Sequence, residues 1–298
     1  MTDKPNAREL VLDMLMEVLE GKGYSHKLLA GILARHQQLD KQERAFITRL
    51  FVGTVKIYLR LDYIIGQFSS LPVQKMKPLI RCILREGAYQ ILYMEQVPAS
   101  AACNEAVKLV KKRGLTQLSG FVNAILRNIA RNADKIKFPD PDKESVDYLS
   151  VYYSYPKWLV DMLLEQYGYD TTRSMLEASL QERQTSIRCN LKKLSPSKLK
   201  ELLEQEGVTV ENSPYLDYAF RIKNFDYLER LASFREGCFV VQDISSMLVC
   251  HLAGIREGDL VLDVCAAPGG KAMHAAQTAG RVIARDISEY KIALIDEN

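Results

Sequence analysis

The sequence has no Cys-x-x-Cys pair anywhere in its 298 residues. Its six cysteines, at positions 82, 103, 189, 238, 250 and 265, are scattered, and none has a pair of histidines nearby. That argues against a disulfide framework or a zinc site and for a reduced compartment. The four histidines, His26, His36, His251 and His274, have no partners at catalytic or metal spacing. They are read as structural, and no metal is expected. No apolar run approaches the length of a membrane span. The start, Met1-Thr2-Asp3-Lys4-Pro5, has no apolar signal segment behind it, and the stretch Leu10 to Leu19 is broken by Asp13 and Glu17. No membrane contact and a cytoplasmic location are the expectation. Internal repeats and low-complexity tracts are also missing.

What is present is ordinary in bulk and uneven in distribution. Hydrophobic residues make up 47% and charged residues 26%, as in a soluble globular protein of about two domains. The net charge of +3 hides an asymmetry. Residues 1–140 hold 22 Lys and Arg against 13 Asp and Glu, whereas residues 141–298 hold 18 against 24. A net +9 over the first half suits a polyanionic partner such as RNA, although a helical domain with solvated lysines would show the same count.

Residues 1–133 read as helices throughout. Leu10, Val11, Met14, Leu15, Val18 and Leu19 recur at helical spacing, with Gly21 as a stop. Asp40 and Glu43 form a capping box, Pro78 opens another helix, and Ser100 is placed to cap one that ends at Gly114. Residues 134–147, with two prolines and alternating charge, read as a linker with little to bury. Helices resume at Trp158–Tyr167 and Thr171–Leu180. The period then changes. Strand-like segments at Thr185–Leu191, Val208–Val210 and Tyr218–Ile222 surround a helix at Pro196–Gly207. A strand at Cys238–Val241 and a helix at Asp243–Ala253 lead to strand 260–264, helix 270–279, strand 281–285 and a last helix from about Ser288. The expected fold is multidomain. An all-α bundle (1–133), the linker (134–147) and a connecting helical and small α/β unit (148–236) precede the start of a Rossmann-like α/β domain (237–298), expected to be incomplete.

The segment Leu260-Val-Leu-Asp-Val-Cys-Ala-Ala-Pro-Gly-Gly-Lys271 carries the most chemistry. An apolar strand enters a small-residue turn and a helix follows, the place where open α/β sheets bind nucleotide-like cofactors. A P-loop needs Gly, four residues, then Gly-Lys and Ser or Thr. Here Cys265 stands where the first Gly belongs, and Ala272 follows Lys271. Gly-x-Gly-x-x-Gly is absent too, so ATP, GTP and dinucleotides fit poorly. S-adenosylmethionine carries no phosphate. It needs close backbone approach, which Gly269 and Gly270 permit, and free helix N–H groups for its carboxylate. The cofactor-binding set is therefore Cys265, Ala266, Ala267, Pro268, Gly269, Gly270, Lys271 and Asp286. Asp286 lies 16 residues beyond Gly270 at the end of the second strand, where an acid bonds ribose hydroxyls. It could instead only cap the next helix. Asp263 could orient the loop, meet the ligand's amino group, or act as a capping acid under the turn. Cys265 would contribute its backbone and is not read as a nucleophile.

These residues carry a resemblance. Leu262-Asp-Val-Cys-Ala-Ala-Pro-Gly-Gly-Lys271 resembles the first motif of the RNA cytosine carbon-5 methyltransferases, and Gln242-Asp-Ile-Ser-Ser246 resembles their Gln-Asp-x-x-Ser segment. Pro98–Val107 and Asn123–Arg127 resemble the RNA-binding domain shared with the antitermination factor NusB. The combination is similar to the bacterial RsmB/Sun/Fmu family of 16S ribosomal RNA methyltransferases, over essentially the whole chain. The one mild departure is Ser154-Tyr155-Pro156, where the family commonly has His before the proline. The resemblance implies a NusB-like bundle, S-adenosylmethionine as cofactor, small-subunit ribosomal RNA as partner, and methyl transfer through a covalent cysteine–cytosine adduct. The family's catalytic cysteines follow Pro and Thr. In this chain the residues before the cysteines are Arg81, Ala102, Arg188, Gly237, Val249 and Val264. No catalytic residue is therefore assigned, and the chain, read as truncated, is expected to be inactive alone. An RNA-binding module without catalysis and a related transfer-RNA methyltransferase are the alternatives.

Overall fold

A computed structural model of the protein describes residues 6–36, 38–181 and 184–297. Met1 to Pro5, inspected above for a signal segment, and Asn298 lie outside the described residues. The chain forms two compact units, Met1–Gln181 and Glu182–Asn298.

The first unit is helical, as the 3.6-residue period requires. Its elements are α1 (Ala7–Leu15), α2 (Ser25–Arg35), α3 (Lys41–Lys56), α4 (Tyr58–Gln67), α5 (Pro78–Tyr93), α6 (Ala99–Lys112), α7 (Ser119–Arg131), α8 (Ser145–Tyr153) and α9 (Lys157–Leu180). The capping box at Asp40 and Glu43 forms, and Pro78 opens α5, where its missing N–H costs nothing. α5 packs against α3, α4, α6 and α7 and carries the buried Ile80, Ile83, Leu84 and Ala88. Val11, Leu12 and Leu15 of α1 and Ile47, Leu50 and Phe51 of α3 complete a core with no exposed surface at these positions.

Arg85, buried inside this bundle, is paired with two acids. Arg85 donates from Nε and Nη2 to the two oxygens of Asp62, at 2.7 Å each, and from Nη1 to Glu20 at 3.0 Å. Arg81 binds the same Glu20. Thr54 Oγ1 and both Glu86 carboxylate oxygens are buried without hydrogen-bond partners, and desolvation pushes the Glu86 carboxyl well above the usual range.

Three sequence expectations are corrected here. Ser100 is not a cap, because α6 starts one residue earlier, after Pro98. The stretch 134–147 does have something to bury. Ile136 and Phe138 pack on the bundle, Phe138 stacks on Tyr63 with ring centroids 6.1 Å apart, and Gln67 hydrogen-bonds both backbone groups of Lys137. α8 precedes the helices foreseen at 158–180, which form one element interrupted at Gly168.

The second unit contains a four-stranded antiparallel sheet and a parallel pair. Strands β1 (Thr185–Cys189), β2 (Thr209–Asn212), β3 (Ala219–Lys223) and β4 (Phe239–Val241) lie in the order β2-β3-β1-β4. Ile187 is the register point, opposite Phe220 on β3 and Val241 on β4. Alternation sends Ile187, Cys189, Phe220 and Ile222 to one face, where Leu199 and Leu203 of α10 (Pro196–Gln205) cover them, with α11 (Ala232–Arg235) packed against α10 and β4. Ala219 faces the other way, onto Ile244 and Met247 of α12 (Ile244–Leu252). The pair β5 (Leu260–Asp263) and β6 (Arg281–Ala284) is parallel and is joined through α13 (Gly270–Ala275); α14 (Glu289–Glu297) follows. Parallel pairing requires a crossover of this kind.

Candidate cofactor turn

The turn between β5 and α13 is held from both sides. Ala266 N–H donates to the carbonyl of Arg285 at 2.9 Å, which continues the β5–β6 pairing past the end of the strands. Asp263 accepts from Cys265 N at 3.2 Å, so it acts as the capping acid under the turn. Gly269 N–H donates to Ala266 O at 2.6 Å and closes the loop. Gly269 has φ +105°, a conformation that side chains rarely adopt, and it is the N-cap of α13. Gly270 does not need that freedom. A Cβ there would stand 3.8 Å from Gln242 Nε2, ordinary contact distance. The Gly270, Lys271 and Ala272 amides lie in the first turn of α13, where a helix offers no internal acceptor.

Asp286 joins this turn through space. Its Oδ2 accepts from Ala267 N at 3.1 Å, and its Oδ1 accepts from Ile287 N at 2.8 Å and pairs with Lys291 Nζ at 3.3 Å. The side chain is only 5% exposed. Desolvation raises its carboxyl, and the Ile287 and Ala267 amides and Lys291 outweigh this, holding it below the usual carboxylate range. The acid thus braces the turn at the same time as it faces it.

The structure brings the whole predicted set together: Cys265 to Gly269 in one loop, Gly270 and Lys271 at the start of α13, and Asp286 bonded to Ala267. Cys265, Pro268 and Lys271 are exposed, while Ala266 and Gly269 are buried. Cys82 and Cys189 are buried, and desolvation pushes both up to about 11. Cys250 Sγ donates to Lys271 O at 3.3 Å.

Sequence reasoning missed what lies beneath the turn. Arg188 of β1 is 1% exposed and donates from Nε to Gln242 Oε1 at 2.7 Å. Arg188 Nη1, Gln242 Nε2, His274 Nδ1 and Gln277 Oε1 are buried without hydrogen-bond partners. The His274 ring meets Tyr218 edge-on at 5.5 Å, and desolvation, with Arg188 nearby, lowers its pKa to about 4, so it is neutral. Gln242 stood in a recognisable segment, but nothing in the spacing of Arg188 linked it to the turn. Among the described residues no cluster of three or more His, Cys, Asp or Glu side chains could hold a metal ion, and no helix is long and apolar enough to cross a membrane.

Comparison with known proteins agrees with this arrangement. Residues 5–131 match the NusB family, 155–228 match the RsmF/B-like methyltransferase ferredoxin-like domain, and 250–298 match the 16S rRNA methyltransferase RsmB/F family. The probable ribosomal RNA small subunit methyltransferase B of Bacillus subtilis is 32% identical over 297 residues, 99% of this chain and 65% of the relative. The corresponding protein of Synechocystis is 32% identical over 92% of this chain and 61% of its own length. The Proteus mirabilis ribosomal RNA small subunit methyltransferase B is 28% identical over 98% of this chain and 67% of its own length. The chain thus spans about two thirds of the length of the curated relatives it matches. The crystal structure of PH0851 shares the fold over the entire chain, with TM-score 0.76 at 21% identity, and this chain covers 67% of that one. With a NusB-like bundle, a ferredoxin-like sheet and a methyltransferase turn in this order, the chain belongs to the RsmB/F family of 16S ribosomal RNA methyltransferases.

Proposed function

We propose that this chain carries the RNA-binding and cofactor-binding parts of a cytoplasmic 16S ribosomal RNA cytosine-C5 methyltransferase that uses S-adenosylmethionine. The observation that carries the reading is the turn itself: Gly269 at φ +105° and Asp286 bonded to Ala267 leave a tight backbone surface with no phosphate-loop sequence around it. A positively charged sulfonium methyl donor is the chemistry the cofactor supplies. Gly269 admits its close approach, and the first-turn amides of α13, that of Gly270 among them, are donors for its carboxylate. Asp286 accepts from a ribose hydroxyl: with Ile287 and Lys291 on Oδ1 and Ala267 on Oδ2, one lone pair of Oδ2 is left for it. The sequence division into 1–133, 134–147, 148–236 and 237–298 is proposed as the functional one, with the 147/148 bound moved to the start of α8 at Ser145. The bundle and the small α/β unit hold small-subunit ribosomal RNA, and the last segment holds the cofactor.

In the whole protein, a cysteine thiolate would add to cytosine carbon-6, the cofactor would supply the methyl group to carbon-5 and leave as S-adenosylhomocysteine, and loss of the carbon-5 proton would release the thiolate. No cysteine here carries that role. Five of the six are at least partly buried, and Cys265 serves the turn through its backbone. The 298-residue chain therefore binds without turning over. Ultraviolet crosslinking of methyl-tritiated S-adenosylmethionine, followed by peptide mapping, tests the cofactor reading. Label should enter the segment 260–291 and be displaced by S-adenosylhomocysteine but not by ATP. Displacement by ATP or NAD would assign the turn to another ligand.

A further inference from the structure

Alternation along β1 places Arg188 on the sheet face opposite Ile187 and Cys189, toward α12 and α13. There it is 1% exposed, and its surroundings are not those of a structural ion pair. Desolvation lowers its pKa; the groups facing it are the thiols of Cys250 and Cys189 and the phenol of Tyr218, which burial itself keeps neutral, and no carboxylate is among them. His274 beside it is neutral. Burying a guanidinium without an acid is costly, and folds seldom keep one without a use. One side chain separates Arg188 from the turn. Its Nε holds Gln242 Oε1 at 2.7 Å, and Gln242 Nε2 lies 3.8 Å from the place a Cβ on Gly270 would take. Both Arg188 Nη1 and Gln242 Nε2 keep unspent donors.

We propose that Arg188 is a positioning and specificity-determining residue: through Gln242 it sets an uncompensated positive charge under the Gly269–Gly270 turn, and this selects cofactors with a carboxylate tail. The inference rests on the reading of the turn as an S-adenosylmethionine site. The tail is a zwitterion, so the charge favours it where the carboxylate, held at the first-turn amides of α13, lies nearer the guanidinium than the ammonium does; contact with the carboxylate is not required. The adenosine portion carries no net charge and gains nothing from it. Arg188 therefore separates tail recognition, which it serves, from adenosine recognition, which Asp286 serves.

Two ligands distinguish the two. S-adenosylhomocysteine carries the amino-acid tail; 5′-methylthioadenosine is a closely similar adenosine thioether without it. In calorimetric titrations of the 298-residue chain, Arg188→Met should weaken S-adenosylhomocysteine on the order of tenfold and 5′-methylthioadenosine by less than about twofold. Arg188→Lys, which keeps the charge, should restore most of the ratio between the two. If Arg188→Met does not fold, Gln242→Glu gives the same answer, because its carboxylate neutralises Arg188 in place and should collapse the ratio. Equal loss for both ligands in either variant would make Arg188 merely structural and overturn the proposal. An unchanged ratio with weakened binding of ribosomal RNA would assign it to RNA phosphate and also overturn it. If the wild-type chain bound neither ligand, the cofactor reading itself would fall and this proposal with it.

Discussion

Gly269 and Gly270 are adjacent and alike in sequence, yet the structure assigns them opposite tolerances. Gly269 has φ +105°, and the atoms nearest a Cβ there, from Ile295 and Met273, are 3.8 Å away. Space is not its constraint; backbone conformation is. Gly270 lies inside α13 with φ outside the left-handed region and an equally open Cβ position. An L-residue forced into the left-handed region costs about 1–2 kcal/mol, and a branched one more. Because the strain falls on the turn alone, it should appear as lost cofactor affinity, roughly five- to thirtyfold for Gly269→Ala. Gly270→Ala should stay within about twofold, since alanine is the better helix former. Gly269→Val should be worse than Gly269→Ala. Titration calorimetry with S-adenosylhomocysteine measures the affinities, and circular dichroism confirms that each variant is folded. Equal effects of the two alanine substitutions, or a harmless Gly269→Ala, would refute the argument that backbone angle rather than crowding governs the turn.

His274 has its pKa lowered to about 4 from an ordinary 6.5. The stability it contributes is present above pH 6.5 and is lost as pH falls toward 4, by about 1–2 kcal/mol after allowance for solvent screening. Calorimetric unfolding midpoints at pH 7 and pH 4.5 should therefore converge in His274→Gln relative to wild type, and an unaltered pH response would count against the assignment. In the first unit, Asp62→Ala removes both bonds to Nε and Nη2 of the buried Arg85 and should cost about 3 kcal/mol in urea unfolding. A loss below about 1 kcal/mol would mean that Glu20 alone satisfies Arg85. RNA binding should weaken steeply with salt, because residues 1–140 carry a net +9. The logarithmic slope should be about −0.7 to −0.9 for each phosphate contacted, and a flat response would rule out a phosphate-dominated interface.

Much of this was legible in the residues, for identifiable reasons. The bundle announced itself through its 3.6-residue period, and the cap at Asp40 with Glu43 formed as written because a capping box is a local device. Thr185–Leu191 and Cys238–Val241 read as strands and form over Thr185–Cys189 and Phe239–Val241, but their pairing through Ile187 was not legible, since register depends on partners remote in sequence. The cofactor turn was visible because strand, small residues and helix follow in one continuous run. Phe138 was misjudged because two prolines and charges masked an aromatic residue that docks on Tyr63. Arg188 was invisible as part of the site for a different reason. A strand arginine in sequence reads as solvated, and only the sheet's second face, turned to α12 and α13, buries it. Asp286 was placed correctly at the end of β6, but its bond to Ala267 and its pairing with Lys291 are products of the fold rather than of spacing.

The central claim is that the turn at residues 264–271, with Asp286, is an S-adenosylmethionine site. Photolabelling the 298-residue chain with methyl-tritiated S-adenosylmethionine, in parallel with the Asp286→Ala variant, tests it most directly. The account predicts label within residues 260–291, displacement by S-adenosylhomocysteine and not by ATP, and sharply reduced labelling in Asp286→Ala with the fold intact. Label outside that segment, or undiminished labelling of the variant, would contradict it.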